Sequence, residues 1–440
     1  TIKLNQLIFM IKLLFFILFF LNFLNLSAEQ SLKYYVKTAL EKNPKINAEK
    51  QNLNSIKENI NISKSEFLPS LTLSGSQTST QSSKTVNQSG AKLGDTKRNT
   101  ETKKLSIDQK LFQGFKGYND LKKSKLEVEK ANLKFKEIEQ EIILKSVSVY
   151  FDLIFKNKNR NFNLANLDLF ERQVETDKLR LQKGEISLTD LAQSESSLAG
   201  ANANLIKAET ELIASIAEFE KITSIKAPEN ISGVKEIFFD TPKSLNEAMN
   251  LSFSNNLSLA IKRLELAISE KELSQEKASL SPKASINYSV SENKDLSSTI
   301  DENEEEEVKA TITWPIIKGG KNFSSIKKSK YKVEKNKLLL EDQENELKTQ
   351  TSNSWSFFQS SNSILASTSA QLKAAEIANE GITLEYDSGN TRTTLEVIQS
   401  RSLLLDARIS HAKAEKDLVV SKLNLLKQIG GLNLNAIQTP

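Results

Sequence analysis

The 440 residues include no cysteine, one histidine, two tryptophans, 14 glycines and 7 prolines, and each shortage removes a class of structure. Without cysteine there are no disulfides, no soft-metal thiolate cluster and no lipid-bearing N-terminal residue, so the chain is not an acylated lipoprotein. So little glycine and proline leaves few places to break a helix. Long uninterrupted helices follow, where this length could otherwise hold two or three compact domains. An excess of one charge is also lacking. The 60 basic and 55 acidic residues give +5, with lysine spread along helical segments, too little to imply a nucleic-acid partner. Hydrophobic residues make up 38% and charged residues 26%, a balance that suits elongated structure with much wetted surface.

One long apolar run is present. Residues 1–28 place lysines at 3 and 12 before LLFFILFFLNFL and end on Ser27-Ala28, the pattern of a secretory signal cut after Ala28. About a dozen continuous apolar residues fall short of the roughly 20 that a helical membrane span needs. The rest of the chain offers no transmembrane helix.

What is present is a duplication. The forty residues from Ser31 align without a gap on those from Ser244: Ser31 with Ser244, Leu32 with Leu245, Asn43 with Asn256 and Pro69 with Pro282, all at an offset of 213. Further on the offset is 205, for Gly114 with Gly319, KKSK at 122 and 327, VEK at 128 and 333, and Gly184 with Gly389. A loop in the second copy, between the prolines and the glycines, is therefore the shorter one.

The segments around that loop read as strands. Ala284, Ile286, Tyr288 and Val290 alternate with Ser285, Asn287 and Ser289. Val308, Ala310, Ile312, Trp314 and Ile316 alternate with Lys309, Thr311 and Thr313. The first copy repeats this more weakly, with Leu71 and Leu73, then Leu105, Ile107 and Leu111 against Lys104, Ser106, Asp108 and Lys110. Each copy thus supplies one hairpin, apolar on one face, with strands of about nine residues, close to the roughly 9–11 of a barrel strand in an outer membrane. Tyr288 and Trp314 suit an interfacial girdle. Closure takes about eight strands and open edges are costly in lipid, so four strands per chain imply that several chains share one barrel.

After each hairpin comes helix. Leu121, Val128, Phe135, Ile142 and Val149 recur every seven residues, as do Ile326, Val333, Leu340 and Leu347. Some 70 residues separate Gly114 from Gly184, about 105 Å of helix at 1.5 Å per residue. The stretches KGEISLTDLAQS, residues 183–194, and SGNTRTTLEVIQS, residues 388–400, are then tips where a descending helix turns back, glycine supplying backbone freedom and Ser/Thr the cap. The predicted layout is a signal at 1–28 and a first repeat at 29–230, with its hairpin at about 69–113, long helix at about 115–182 and return helix at about 187–224. A strap at 225–243 leads to a second repeat at 244–440, with its hairpin at about 282–318, long helix at about 320–387 and return helix at about 393–429.

The doubled opening helix on Ser-Leu with its following proline, the strand ends LFQGF and PIIKGG, and the two tips resemble the TolC family of outer-membrane channels over almost all of the mature chain. The resemblance implies a mainly α fold with a β-barrel part: a homotrimer sharing a twelve-stranded outer-membrane β-barrel, continued by a periplasmic α-helical tunnel. It implies no cofactor and no enzyme activity, and as partners outer-membrane lipid, a periplasmic adaptor (membrane fusion) protein and an inner-membrane ABC or RND-type transporter. It also implies a periplasmic gate of Asp190, Tyr386 and Arg392, tip turns at Gly184 and Gly389, and a constriction ring at Glu396, with Gln399 at the ring's second position. The function implied is the exit duct of a tripartite efflux or type I secretion system. A secreted coiled-coil structural or adhesin protein would share the helices but would not need the strand pairs.

Other motifs carry less. His411 stands alone in a helical context, KGGK at 318–321 lacks the upstream glycine and the following Ser/Thr of a phosphate loop, and the acidic run DENEEEE, residues 301–307, reads as a solvated outer loop. Tyr150 and Trp355, at equivalent repeat positions, read as packing residues.

Overall fold

The computed structural model describes residues 32–228, 240–297, 300–317, 319–388 and 392–437. The signal segment, residues 229–239 of the strap and the tip glycine Gly389 lie outside the described residues. In chain order the elements are α1 (Leu32–Lys42), α2 (Pro44–Ser65), β1 (Ser70–Ser82), β2 (Thr96–Phe112), α3 (Lys116–Gln182) and α4 (Leu188–Thr223). Then come α5 (Leu245–Asn255), α6 (Leu257–Ala278), β3 (Lys283–Ser297), β4 (Ile300–Thr313), α7 (Lys321–Asp387) and α8 (Thr394–Gln428), closed by a 3-10 turn at Leu434–Ala436. Helix lengths run 11, 22, 67 and 36 residues in the first half and 11, 22, 67 and 35 in the second. The chain is mainly helical, and none of its described helices is both long and apolar enough to cross a membrane.

Both asparagines at offset 213 stand where the opening helix breaks. Asn43 donates from Nδ2 to the Ile222 carbonyl (2.9 Å) and accepts the Lys45 amide on Oδ1, and Pro44 opens α2, where its missing N–H costs nothing. Asn256 caps α6, its side chain accepting the Leu259 amide at 3.0 Å.

The described residues form two compact units. One gathers those of Thr1–Ile46, Glu139–Ala248 and Thr351–Pro440. Its core packs Tyr35 of α1 against Phe219 of α4 and Tyr150 of α3, with ring centroids 5.4 and 5.8 Å away, beside the fully buried Leu32, Val147 and Ile437. Tyr150 is thus a packing residue, whereas Trp355 is half-buried against Phe358. The seven-residue line also drifts. Leu121, Val128 and Phe135 are half-buried, Ile142 is buried, and beyond it full burial passes to Ile143, Val147, Tyr150 and Leu153 while Val149 is only half-buried. A straight helix of 3.6 residues per turn rotates a strict heptad off its seam by about 20° per repeat.

The second unit gathers Asn47–Ile138 and Met249–Gln350 and contains one antiparallel sheet in the order β1-β2-β3-β4. The register puts Leu71, Ile107, Tyr288 and Val308 in one row across it, and Leu73, Leu105 and Val290 in the next. This face is bare: Leu73 is 78% and Ile312 79% exposed. The opposite face is tied by polar pairs, Asn287 donating to Asp108 at 2.7 Å and Thr102 to Asn293 at 2.9 Å.

The strands run 13, 17, 15 and 14 residues, longer than the apolar alternation. The acidic run at 301–307 is not a loop. It lies in β4, with Glu302 to Glu307 paired with β3 and Lys294 bridging to Glu302 at 3.1 Å. Ladder hydrogen bonds continue wherever two backbones stay adjacent, whatever the side chains do in water.

Gly114, between β2 and α3, has φ +65°, and a Cβ there would sit 2.3 Å from Ser281 Cβ and 2.7 Å from the Ala278 carbonyl. Gly114→Ala is expected to cost at least the roughly 1–2 kcal/mol of a left-handed non-glycine residue, plus the displacement of Ser281, seen as a lowered thermal midpoint of the detergent-solubilised protein.

Candidate functional site

The residues expected at the first tip lie where α3 ends and α4 begins. The last turn of α3 closes on Gly184 at φ +74°, its amide donating to Leu181 O (2.9 Å) while Glu185 N reaches back to Arg180 O (2.9 Å). This paired closure satisfies the terminal carbonyls and needs a left-handed residue, which glycine supplies without a Cβ clash. Three residues on, Ser187 caps α4. Its Oγ accepts the Asp190 amide, while Asp190 Oδ2 accepts both Ser187 Oγ (2.7 Å) and Ser187 N (2.9 Å). Those donors, the hydroxyl first, hold the Asp190 carboxyl below the usual carboxylate range.

At the second tip α7 ends on Asp387 and Thr393 caps α8 in the same reciprocal way, with Glu396 as its partner. Glu396 Oε2 accepts Thr393 N at 2.7 Å and Thr393 Oγ1 at 3.1 Å; Oε1 accepts Arg392 Nη1 at 3.0 Å. The Thr393 amide first, then Arg392, lower the Glu396 carboxyl from its ordinary value. Arg392 also bonds Glu385 at 2.6 Å through Nε. Gln399 is exposed.

Tyr386 is different in kind. It is buried, and its hydroxyl donates to Asp177 Oδ1 at 3.0 Å. Gln173 Nε2 donates to that same oxygen (2.9 Å) and to the Tyr386 hydroxyl (3.2 Å), and Ser194 Oγ donates to Asp177 Oδ2 at 2.5 Å. With its proton on Asp177, the phenol accepts from Thr394 Oγ1, 3.1 Å away. The Arg180 guanidinium lies 4.3 Å from the ring centroid. Burial pushes the Tyr386 phenol above its ordinary value, so at neutral pH it keeps the proton it donates. Asp177 is wholly buried, and through it α3, α4, α7 and α8 share one polar knot.

Within one chain, then, the described contacts join Arg392 to Glu396 and leave Asp190, Tyr386 and Arg392 bonded to other residues. The sequence reading missed Gln173, Asp177, Ser194 and Thr394. A signal was available: Phe170, Gln173, Val174 and Asp177 follow the i, i+3, i+4, i+7 rhythm of one helix face, and a carboxylate on an apolar stripe must find partners or unfold it. The arrangement is one of structural bonds. No group of three or more His, Asp or Glu residues suited to a metal occurs among the described residues.

The profile of the family described as Outer membrane efflux protein matches residues 35–223 and 248–431. The chain is 22% identical over 401 residues to the outer membrane efflux protein BepC of Brucella suis, covering 91% of this chain and 85% of that protein. It is 21% identical over 425 residues to the outer membrane protein TolC of Escherichia coli, covering 94% and 84%. Among solved structures, the CmeC outer membrane channel of Campylobacter jejuni superposes with a TM-score of 0.79 at 14% identity, over 91% of this chain and 85% of that one.

Proposed function

The chain belongs to the outer membrane efflux protein family, and from that premise we propose how it works as an outer-membrane channel. Three copies pool their four-stranded sheets into one twelve-stranded barrel, and their helices build a duct through the periplasm. Each subunit is one plan used twice, 29–230 and 244–440, joined by the strap at 225–243. The duct is passive and draws its energy from partners: a periplasmic adaptor and an inner-membrane transporter of ABC or RND type, in tripartite efflux or type I secretion.

The observation that carries this reading is the sheet. It has an exposed apolar face, two open edges at β1 and β4, and a polar opposite face. Lipid covers such a face only when no edge is left unpaired, and closure with identical neighbours is the economical route. A secreted rod would leave Leu71, Leu73, Val308 and Ile312 in water, which disfavours the adhesin alternative.

The tips form the gate. Asp190, Arg392 and Glu396 are exposed or half-exposed charged groups able to exchange partners between subunits, while Tyr386 is held inside its own subunit by Asp177. Glu396 supplies a ring of three carboxylates in the trimer, each already half neutralised by its own Arg392, which weakens its hold on cations. Expressed in a Gram-negative host, the protein should fractionate with the sarkosyl-insoluble outer membrane and give discrete conductance steps in planar bilayers; a soluble rod with no conductance would contradict the reading.

A further inference from the structure

The first turns of both long helices carry an unusual charge. Residues 321–337 of α7 hold seven lysines and a single acidic residue, Glu334; residues 116–136 of α3 hold seven lysines against Asp120, Glu127 and Glu129. Neither helix has an acidic residue in its first turn, although cations there oppose the helix dipole. Among the described residues only Lys332 of the seven in α7 makes an ion pair, with Glu272; Lys321, Lys327, Lys328, Lys330, Lys335 and Lys337 are exposed and form none.

The position of this charge matters as much as its size. α7 begins eight residues after β4 ends, and Lys327 to Lys330 follow within about 15 Å of helix rise. Between them the chain exposes Trp314, Ile316, Ile317 and Phe323, with Ile317 82% exposed. Trp314 is anchored by its indole N–H on Leu280 O at 3.0 Å. Tyr118 and Tyr331, both exposed, lie beneath Lys122 and Lys327 at 4.4 and 6.0 Å. Apolar and aromatic groups followed along the chain by unpaired lysines match a bilayer edge, hydrocarbon first and charged headgroups next.

We propose that this lysine collar docks the anionic phospholipid headgroups of the membrane leaflet that borders the barrel on its helical side. The inference rests on the channel reading, which supplies the membrane; the charge preference is its own claim. The surface is continuous with the lipid-facing sheet, and its unpaired positive charge has its complement in a negatively charged leaflet.

The test is lipid retention by the full chain reconstituted in phosphatidylcholine vesicles with and without phosphatidylglycerol, then re-extracted in mild detergent and weighed by lipid mass spectrometry. Phosphatidylglycerol should be retained about three- to tenfold over phosphatidylcholine, fall to parity in high salt and in the K327Q/K328Q/K330Q protein, and persist in K327R/K328R/K330R. Parity in the unaltered protein overturns the proposal, as does an enrichment the glutamine variant leaves unchanged. So does displacement by inorganic phosphate at matched ionic strength, or binding to purified peptidoglycan without a lipid preference. Insertion into neutral vesicles with no preference removes this inference alone; failure to enter either vesicle removes the channel reading with it.

Discussion

Asp177→Ala is expected to turn the resting channel leaky, raising single-channel conductance in planar bilayers while trimers still form. The carboxylate is fully buried and receives three hydrogen bonds, from Tyr386, Gln173 and Ser194. Deleting it leaves those donors in a dry site, at about 1–3 kcal/mol for each group that finds no substitute. In the proposed gate the knot holds four helices of one subunit in the closed packing of the tip, so the loss falls there. A shift of a few kcal/mol changes a closed-to-open ratio by about 10- to 100-fold. Asp177→Asn keeps the shape and one acceptor and should leak less; Tyr386→Phe removes one bond and should leak least. Combining Asp177→Ala with Tyr386→Phe should add little to Asp177→Ala alone, since both act on one bond. A properly assembled Asp177→Ala trimer with unaltered conductance would remove Asp177 from the gate, and the double variant Asp190→Ala, Arg392→Ala would then be left to carry the leak.

Ile107→Lys should abolish or severely weaken assembly into the membrane, whereas Ser106→Lys, its neighbour, should assemble nearly as before. Ile107 lies in the apolar row between Leu71 and Tyr288, on the face proposed to meet lipid, where a lysine costs up to about 2–4 kcal/mol depending on its depth. In a trimer that penalty recurs in every subunit. Ser106 points to the opposite face, where Lys104 and Lys110 already sit. Yield of heat-resistant trimer in the outer-membrane fraction reads the difference. Equal tolerance of lysine at 106 and 107 would mean that neither face meets hydrocarbon.

The apolar alternation from 284 to 290 and from 308 to 312 was legible in the sequence because a sheet with one apolar face writes itself as a period of two; Trp314 and Ile316, expected in the same strand, lie beyond the end of β4 at Thr313. The outer halves of the same strands were not. Polar residues stand on both of their faces, so Asp301 to Glu307 leave no periodic trace, and only the pairing of Glu302 to Glu307 with β3 reveals them as strand. Gly184 was legible because a left-handed turn needs glycine. Asp190 and Glu396 were legible as tip residues, but their capping bonds to Ser187 and Thr393 emerge only from the local geometry. Asp177 was missed although its spacing from Phe170 and Val174 puts it on a buried helix face, because the partners that satisfy it come from α4 and α7, and Tyr386 lies 209 residues away in sequence.

In the proposed channel a four-stranded sheet with a bare apolar face is closed by its neighbours. Native mass spectrometry of the detergent-extracted protein tests this most directly. A particle of three mature chains is predicted; a stable monomer with its sheet intact would contradict the account.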